Sequence, residues 1–409
     1  MNSLISTNIE WLPYINSSWK IGRVKDIFYV SKELSTKKNP TVLSLARSAV
    51  KIRDISNNEG QIAASYDNYN SVKVGDLLLN PMDLYSGANC NVSFVEGVIS
   101  PAYSNLRAKV KLEPRFYDFY FKVQYWTMAM FAHGKGVSFD NRWTLNNEAL
   151  LNYEIPILSL EEQQRIVETL DRKISQIDKL ISNQEKQIEK LNEYKNSVIT
   201  KVVTKGMNKH ITMKDSKIKW IGIIPNHWNL IRFKFLNKSS NTGEAIDKTY
   251  WSNNQKDLVF YTAGLKPIYS CYSLFPEEKY VKKNDLLLSR NGTPYVYIPS
   301  ENSIYTDHII RVQLNDKMHR EYIAYALQQS ILNVAVDSVS LPTWSISLWN
   351  EQTIPNPPKE EQIEIVKYLD NKCSEIDSLI KIKNQKIEKL QEYKKSLIYE
   401  YVTGKKQVA

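Results

Sequence analysis

Residues 161–204 read EEQQRIVETLDRKISQIDKLISNQEKQIEKLNEYKNSVITKVVT, and residues 360–403 read EEQIEIVKYLDNKCSEIDSLIKIKNQKIEKLQEYKKSLIYEYVT. The two segments align without a gap at an offset of 199 residues and share 24 identities in 44 positions, which marks a duplication. Self-similarity at a long period constrains the architecture before any motif does. Within each copy the apolar residues recur at spacings of three and four, the seam of a helix that packs on another helix. The first seam is Leu170, Ile174, Ile177, Ile181, Ile188, Leu191, Val198 and Val202; the second is Leu369, Cys373, Ile376, Ile380, Ile387, Leu390, Leu397 and Tyr401. Polar residues interrupt both at equal places, Gln184 with Lys383 and Lys195 with Lys394. Each segment follows a proline-containing stretch, IPILSLEE or IPNPPKEE, with Glu161, Glu162, Glu360 and Glu361 suited to a helix N-terminus. A helix of this length spans roughly 66 Å at 1.5 Å per residue, and its apolar stripe needs a cover. Each helix either lies on its own globular domain, pairs with another chain, or pairs with the other copy. Equal seams with matching interruptions favour pairing within the chain.

A second repeat precedes the first. Trp11, Trp19, Arg23 and Lys25 recur as Trp220, Trp228, Arg232 and Lys234 at an offset of 209, and VKVGDLLLN at residues 72–80 recurs as VKKNDLLLS at 281–289. The offset falls to 199 by the helices, so the first globular copy holds about ten more residues. A chain of 409 residues is long enough for two or three domains. Strand-like runs (DLLLN, DLLLS, HIIRVQL) alternate with turn-rich stretches, and a short helix is expected near residues 320–332. The predicted fold class is α+β, a tandem repeat of two mixed α/β domains, each followed by a long helix.

The sequence contains no credible catalytic centre. Three cysteines, Cys90, Cys271 and Cys373, are too few and too scattered for a disulfide framework or a cysteine-rich zinc module. His133, His210, His227, His308 and His319 show no ligand spacing, and there is no Walker loop, H-E-x-x-H pair or G-x-S-x-G elbow. Asn356-Pro357-Pro358-Lys359 resembles the Asn-Pro-Pro-aromatic motif of adenine methyltransferases, but Lys359 replaces the aromatic and no glycine-rich cofactor loop precedes it. A proline-stiffened helix entry is the better reading. No cofactor and no metal are expected. No apolar run approaches the roughly 18 residues of a membrane span, and the start of the sequence lacks a basic n-region and an apolar h-region. A soluble, cytoplasmic protein is expected.

Lysine and arginine number 54 against 44 acidic residues, a net charge of +10, which favours a polyanionic partner. In both copies the leucine strand runs into a loop: Asn80-Pro81-Met82-Asp83 in the first, Ser289-Arg290-Asn291-Gly292-Thr293 in the second. Arg290 and Asn291 are residue types that read guanine and adenine edges with two hydrogen bonds, and Thr293 is beside them. A surface turn with a charged tip is the plainer alternative. A second loop precedes each long helix, residues 133–143 with Lys135 and Arg142 beside aromatics, and residues 337–344 with Thr343. Lys135 and Arg142 suit phosphate contact; the second loop is nearly uncharged. Trp19 and Trp228, with Pro13 and Pro225 near them, read as core anchors.

This layout resembles the specificity subunit of type I restriction-modification enzymes over essentially the whole chain. The residues that carry the resemblance are Trp19 to Lys25 and Trp228 to Lys234, the strand-loops DLLLN and NDLLLSRNG, and the junctions IPILSLEEQQRIVETLD and IPNPPKEEQIEIVKYLD. Residues 354–362 match the family's proline-pair junction, whereas Ile157 to Leu160 lack the second prolines. The resemblance implies two target recognition domains, here 1–157 and 207–356, and two conserved helices, 158–206 and 357–409, that form an antiparallel coiled coil. It implies a subunit without catalysis of its own that binds double-stranded DNA and docks two DNA-methyltransferase subunits. Through them it would hold ATP-dependent restriction-translocation subunits. Two similar domains related by a pseudo-two-fold axis would approach DNA as a dimer does. Because their loops differ, the target should be bipartite and asymmetric, with helix length setting the unread spacer. A coiled-coil adaptor without base reading and an unrecognised DNA-modifying enzyme are the alternatives. Salt-sensitive, sequence-selective duplex binding separates the first, and an activity assay of the isolated chain separates the second.

Overall fold

The computed structural model describes residues 4–37, 39–55, 65–82, 84, 90–136, 143–208, 210–336 and 343–408. Two compact units make up the chain: residues 1–184 with 385–409, and residues 185–384.

The first unit opens with a hairpin, Leu4–Ser6 on Tyr14–Asn16. Lys20–Arg23 then pairs with Glu154–Ile157, Lys20 opposite Ile157, which brings the two ends of the globular part together. The central antiparallel sheet runs Phe28–Val30, Ser104–Ala108, Leu77–Leu79, Cys90–Val92. Its leucine strand is buried on both faces. Alternation along a strand sends Leu77 and Leu79 into the main core and Leu78 into a satellite cluster with Leu43, Leu45, Val72 and Ile99. The helix Pro114–Trp126 joins the main core, with Phe116, Tyr117, Tyr120 and Phe121 buried there. Pro114 starts that helix and Glu113 accepts from the Arg115 amide, a capped N-terminus.

The second unit repeats this plan. Met213–Asp215 pairs with Ile223–Pro225, and Asn229–Arg232 pairs with Thr353–Asn356. The sheet runs Asn237–Thr242, Ile309–Leu314, Asp285–Ser289, Val296–Tyr297, the same order of equivalent strands. Leu286 and Leu288 enter the core shared with the helix Arg320–Val336, and Leu287 faces a separate cluster. That separate cluster belongs to a second four-stranded sheet, Trp251–Ser252, Ile268–Ser270, Leu258–Tyr261 and Ile304–Tyr305.

The long helices are Leu160–Lys205 and Lys359–Val402. They pair antiparallel and form the coiled coil. In the first unit Leu170 and Ile177 are buried with Leu397, Ile398, Tyr401 and Val402, and Ile174, Ile181 and Leu390 pack beside them. In the second, Leu369 and Cys373 share a core with Ile199, Val202 and Val203, and Ile376 is buried. Ile188, Leu191, Ile380 and Ile387 are half-buried, as expected where two helices have only each other for cover. Gly206 and Gly404 follow the helix ends with φ of 68° and 73°, the left-handed backbone that stops a helix.

The junctions show why the motif recurs. Trp19 and Trp228 are buried, and their indole N–H groups donate to Glu162 (2.8 Å) and Glu361 (3.0 Å) in the first turn of each helix. The next residue, Gln163 or Gln362, is buried and works at both ends. Its amide donates to the carbonyl of Leu158 (2.9 Å) or Pro357 (2.8 Å), and its oxygen accepts from the backbone of Glu113 (2.8 Å) or His319 (2.7 Å). Glutamate followed by glutamine therefore locks each long helix to its own globular domain.

Candidate nucleic-acid interface

The loop after the leucine strand of the second unit is built as a rigid tip. Gly292 takes φ of 75°, which favours glycine. The Ser289 hydroxyl donates to the Thr293 carbonyl (3.3 Å) and accepts from the Tyr295 amide (2.7 Å), closing the turn on itself. Trp344, 1% exposed, reaches in from the loop before the second long helix. Its backbone N–H donates to the Arg290 carbonyl (2.7 Å) and its indole N–H to the Gly292 carbonyl (2.6 Å). Trp349 adds an indole hydrogen bond to the Ser289 carbonyl (3.2 Å). Four of the sequence-predicted residues, Arg290, Asn291, Thr293 and Thr343, are thereby gathered on one rim. Arg290, Thr293 and Thr343 are exposed and Asn291 is half-buried.

The turn before the strand Ile309–Leu314 forms the other wall. Arg290 N donates to the His308 carbonyl at 2.8 Å, and Asn291 Nδ2 donates to His308 Nδ1 at 2.8 Å. Beside it runs a groove lined by Lys248, Trp251, Thr262, Gly264, Asp307 and His308. Trp251 is 41% exposed and Lys248 stands over its ring at 5.6 Å, an aromatic-plus-cation arrangement suited to nucleic acid. The Tyr297 hydroxyl, pushed up to about 12 by burial, stays protonated at neutral pH and donates to the Gly264 carbonyl (2.9 Å).

The first unit ties its loops in the same way with different residues. Leu145 N donates to the Pro81 carbonyl at 2.8 Å, the counterpart of the Trp344–Arg290 bond. Burial pushes the Tyr125 hydroxyl well above the usual tyrosine range, so it remains a donor and holds the Asn80 carbonyl at 2.6 Å. Lys135 is exposed and exchanges backbone hydrogen bonds with Thr144 at 2.9 and 3.0 Å, an isolated antiparallel bridge. Beside that bridge the Trp143 indole N–H donates to the Phe131 carbonyl (2.8 Å). Arg142, expected from the sequence as a phosphate contact, lies outside the described residues, as does Asp83.

The sequence reading missed His308, which stood out only as one of five scattered histidines, and it missed the tie that Trp344 makes. Neither carries a local signal, because each acts on residues far away in the chain. Among the described residues no group of three His, Cys, Asp or Glu side chains could hold a metal ion. No helix among them is long and apolar enough to cross a membrane.

Comparison with known proteins bears on this arrangement. Residues 225–392 match the family model described as the type I restriction modification DNA specificity domain. The chain is similar to the MjaVIII type I restriction enzyme specificity subunit of Methanocaldococcus jannaschii, 26% identical over 358 residues that cover 82% of this chain and 80% of that protein. It is also similar to the EcoBI type I restriction enzyme specificity subunit of Escherichia coli, 22% identical over 452 residues, covering 98% and 89%. The fold is shared with a solved chain from a study of assembly and conformational transition of the type I restriction-modification system, at 15% identity and a TM-score of 0.67 over 95% of this chain and 98% of that one. Residues 225–392 thus match a DNA specificity domain, and over most of its length this duplicated domain-and-helix chain is similar to type I restriction enzyme specificity subunits.

Proposed function

We propose that the two recognition domains, residues 1–157 and 207–356, each read one half of a bipartite, asymmetric target in double-stranded DNA. Arg290 and Asn291 contact base edges, Thr293 and Thr343 line the same rim, and Lys135 and Arg142 hold phosphate. The helices at 158–206 and 357–409 set the unread spacer and dock two DNA-methyltransferase subunits, through which ATP-dependent restriction-translocation subunits join. The chain supplies selection and its partners supply chemistry, in the cytoplasm.

One observation supports this reading above the others. The same backbone tie, Leu145 to Pro81 and Trp344 to Arg290, holds two loop tips of different composition. A constant frame with exchangeable tips is what a family of readers with differing targets needs. The test is methylation mapping in a host that expresses this chain with its partner methyltransferase. Adenine methylation at one bipartite sequence is expected. Methylation without sequence preference, or turnover by the purified chain alone, overturns the reading.

A further inference from the structure

The contact between Asn291 and His308 fixes the chemical face that the second loop presents. An amide nitrogen can only donate, so His308 Nδ1 accepts and the imidazole carries its proton on Nε2. The 2.8 Å separation is that of a well-formed hydrogen bond. His308 is itself held, since its carbonyl accepts from Arg290 N at 2.8 Å and its amide donates to the Thr306 hydroxyl at 3.2 Å. The backbone of His308 is thus fixed, and its Nε2–H tautomer is the one that accepts from this orientation of the amide.

An asparagine on a flexible loop presents either edge of its amide. Here one N–H is committed to His308, which leaves the second N–H and the carbonyl oxygen for a ligand. A donor and an acceptor side by side complement N7 and the N6 amino group of adenine in the major groove, and they do not complement the two acceptors of guanine. We propose that His308 is a positioning residue for Asn291, locking its amide in the orientation that selects an A·T pair at one position of the half-site read by the second unit. This rests on the reading above, in which the Arg290–Asn291 loop meets base edges.

The test uses the full chain assembled with its methyltransferase partner. Methylation rates are measured on duplexes carrying each base pair at every target position, for Asn291→Ala, His308→Ala and His308→Gln. Asn291→Ala and His308→Ala should both flatten preference at the same single position, by about tenfold or more, as loss of one bidentate base contact implies. His308→Gln supplies a carbonyl acceptor from a side chain of similar reach and should recover most of that preference, which a merely structural role would not produce. If Asn291→Ala flattens a position and His308→Ala leaves it sharp, the positioning role is wrong while base reading by the loop stands. If Asn291→Ala changes no position, the loop does not read bases and both fall. If His308→Ala slows methylation equally on all sequences, or glutamine fails to restore the preference, the histidine serves folding and the inference is overturned.

Discussion

Lys195 on the first long helix meets both carboxylate oxygens of Asp377 on the second, at 2.8 and 2.7 Å. The duplication places Lys394 and Asp178 at the equivalent positions, and they pair with the roles of the helices exchanged, at 2.7 and 2.9 Å. One lysine–aspartate pair thus sits on the seam of each unit and admits only the antiparallel direction. The polar residue that interrupts each apolar stripe is there to meet the other helix.

Reversing one charge should therefore loosen the helix pair. Lys195 and Asp377 are 25% and 57% exposed, so water screens them and the pair contributes about 0.2–1 kcal/mol. Asp377→Lys should lower the urea midpoint of the second unit, and adding Lys195→Asp should recover most of the loss. The difference should shrink in 1 M salt, where the Debye length falls to about 3 Å. Additive losses in the double variant would show that the two side chains do not interact.

The two sheets should differ in their response to losing a buried aspartate. Asp285 is fully buried against Arg311, itself 6% exposed, at 2.5 Å. Asp285→Ala removes the counter-charge of that guanidinium, which keeps its bond to the Glu278 carbonyl (2.8 Å), and should cost about 3–5 kcal/mol by urea unfolding. In the first unit Asp76 pairs with Arg107 at 2.8 Å, and Glu33 also reaches Arg107 at 2.5 Å. Asp76→Ala leaves the arginine a partner and should cost less. Equal losses would contradict this.

Arg290→Ala should relax preference at one position of one half-site by about 1–3 kcal/mol. Lys135→Ala should weaken binding to every sequence alike and flatten the slope of log K against log salt by about 0.9. Binding measured on target and scrambled duplexes across a salt series reads both. Undiminished selectivity in the Arg290 variant would make its loop a surface turn.

A fragment of residues 1–206 should dimerise. In the intact chain Leu397, Ile398, Tyr401 and Val402 complete the core of the first unit. The fragment lacks them and carries their duplicates, Val198, Ile199, Val202 and Val203, on a helix otherwise able to pair in the same way. Two fragments exchanging these ends regain both cores with true two-fold symmetry. Sedimentation should find a dimer at micromolar concentration, and methylation with the partner enzyme should move to a palindrome. A stable monomer would sink this.

Four residues inserted near Gln184 add about 6 Å of helix, which is one or two base pairs at about 3.4 Å each. The unread spacer should lengthen by that much while the half-sites stay the same. Two inserted residues rotate the remaining helix by about 200° and throw the seam out of register, so that variant should lose stability or DNA binding. An unchanged spacer in an active four-residue variant would show that the helices do not set the distance.

What the sequence disclosed depended on how local each signal was. The helical seams announce themselves through spacing, because burial recurs every three to four residues, and the leucine strands through an unbroken apolar run buried on both faces. The strand Asn237–Thr242 gives no such sign. It reads NKSSNT and exists because its backbone finds Ile309–Leu314 at the sheet edge. The second sheet of that unit is built from strands of two to four residues, too short for any period to show. The loop tips were found by residue type, but what holds them was not. His308 lies 17 residues from Asn291 and Trp344 lies 52 from Gly292, and only the finished fold joins them.

Because the end of the second long helix completes the first unit, the order of synthesis and the order of folding cannot coincide. The first globular domain leaves the ribosome early, yet the residues that seal its core follow the whole of residues 185–384. At 5–20 residues per second that interval is about 10–40 s, during which Leu170 and Ile177 stand without their partners. A nascent chain in that state presents an open apolar seam that matches its own later helix and equally the helix of a neighbouring copy on the same message. Assembly of the correct pair is then a race between the chain's own C-terminal helix and its neighbours, and crowding of translating ribosomes sets the odds.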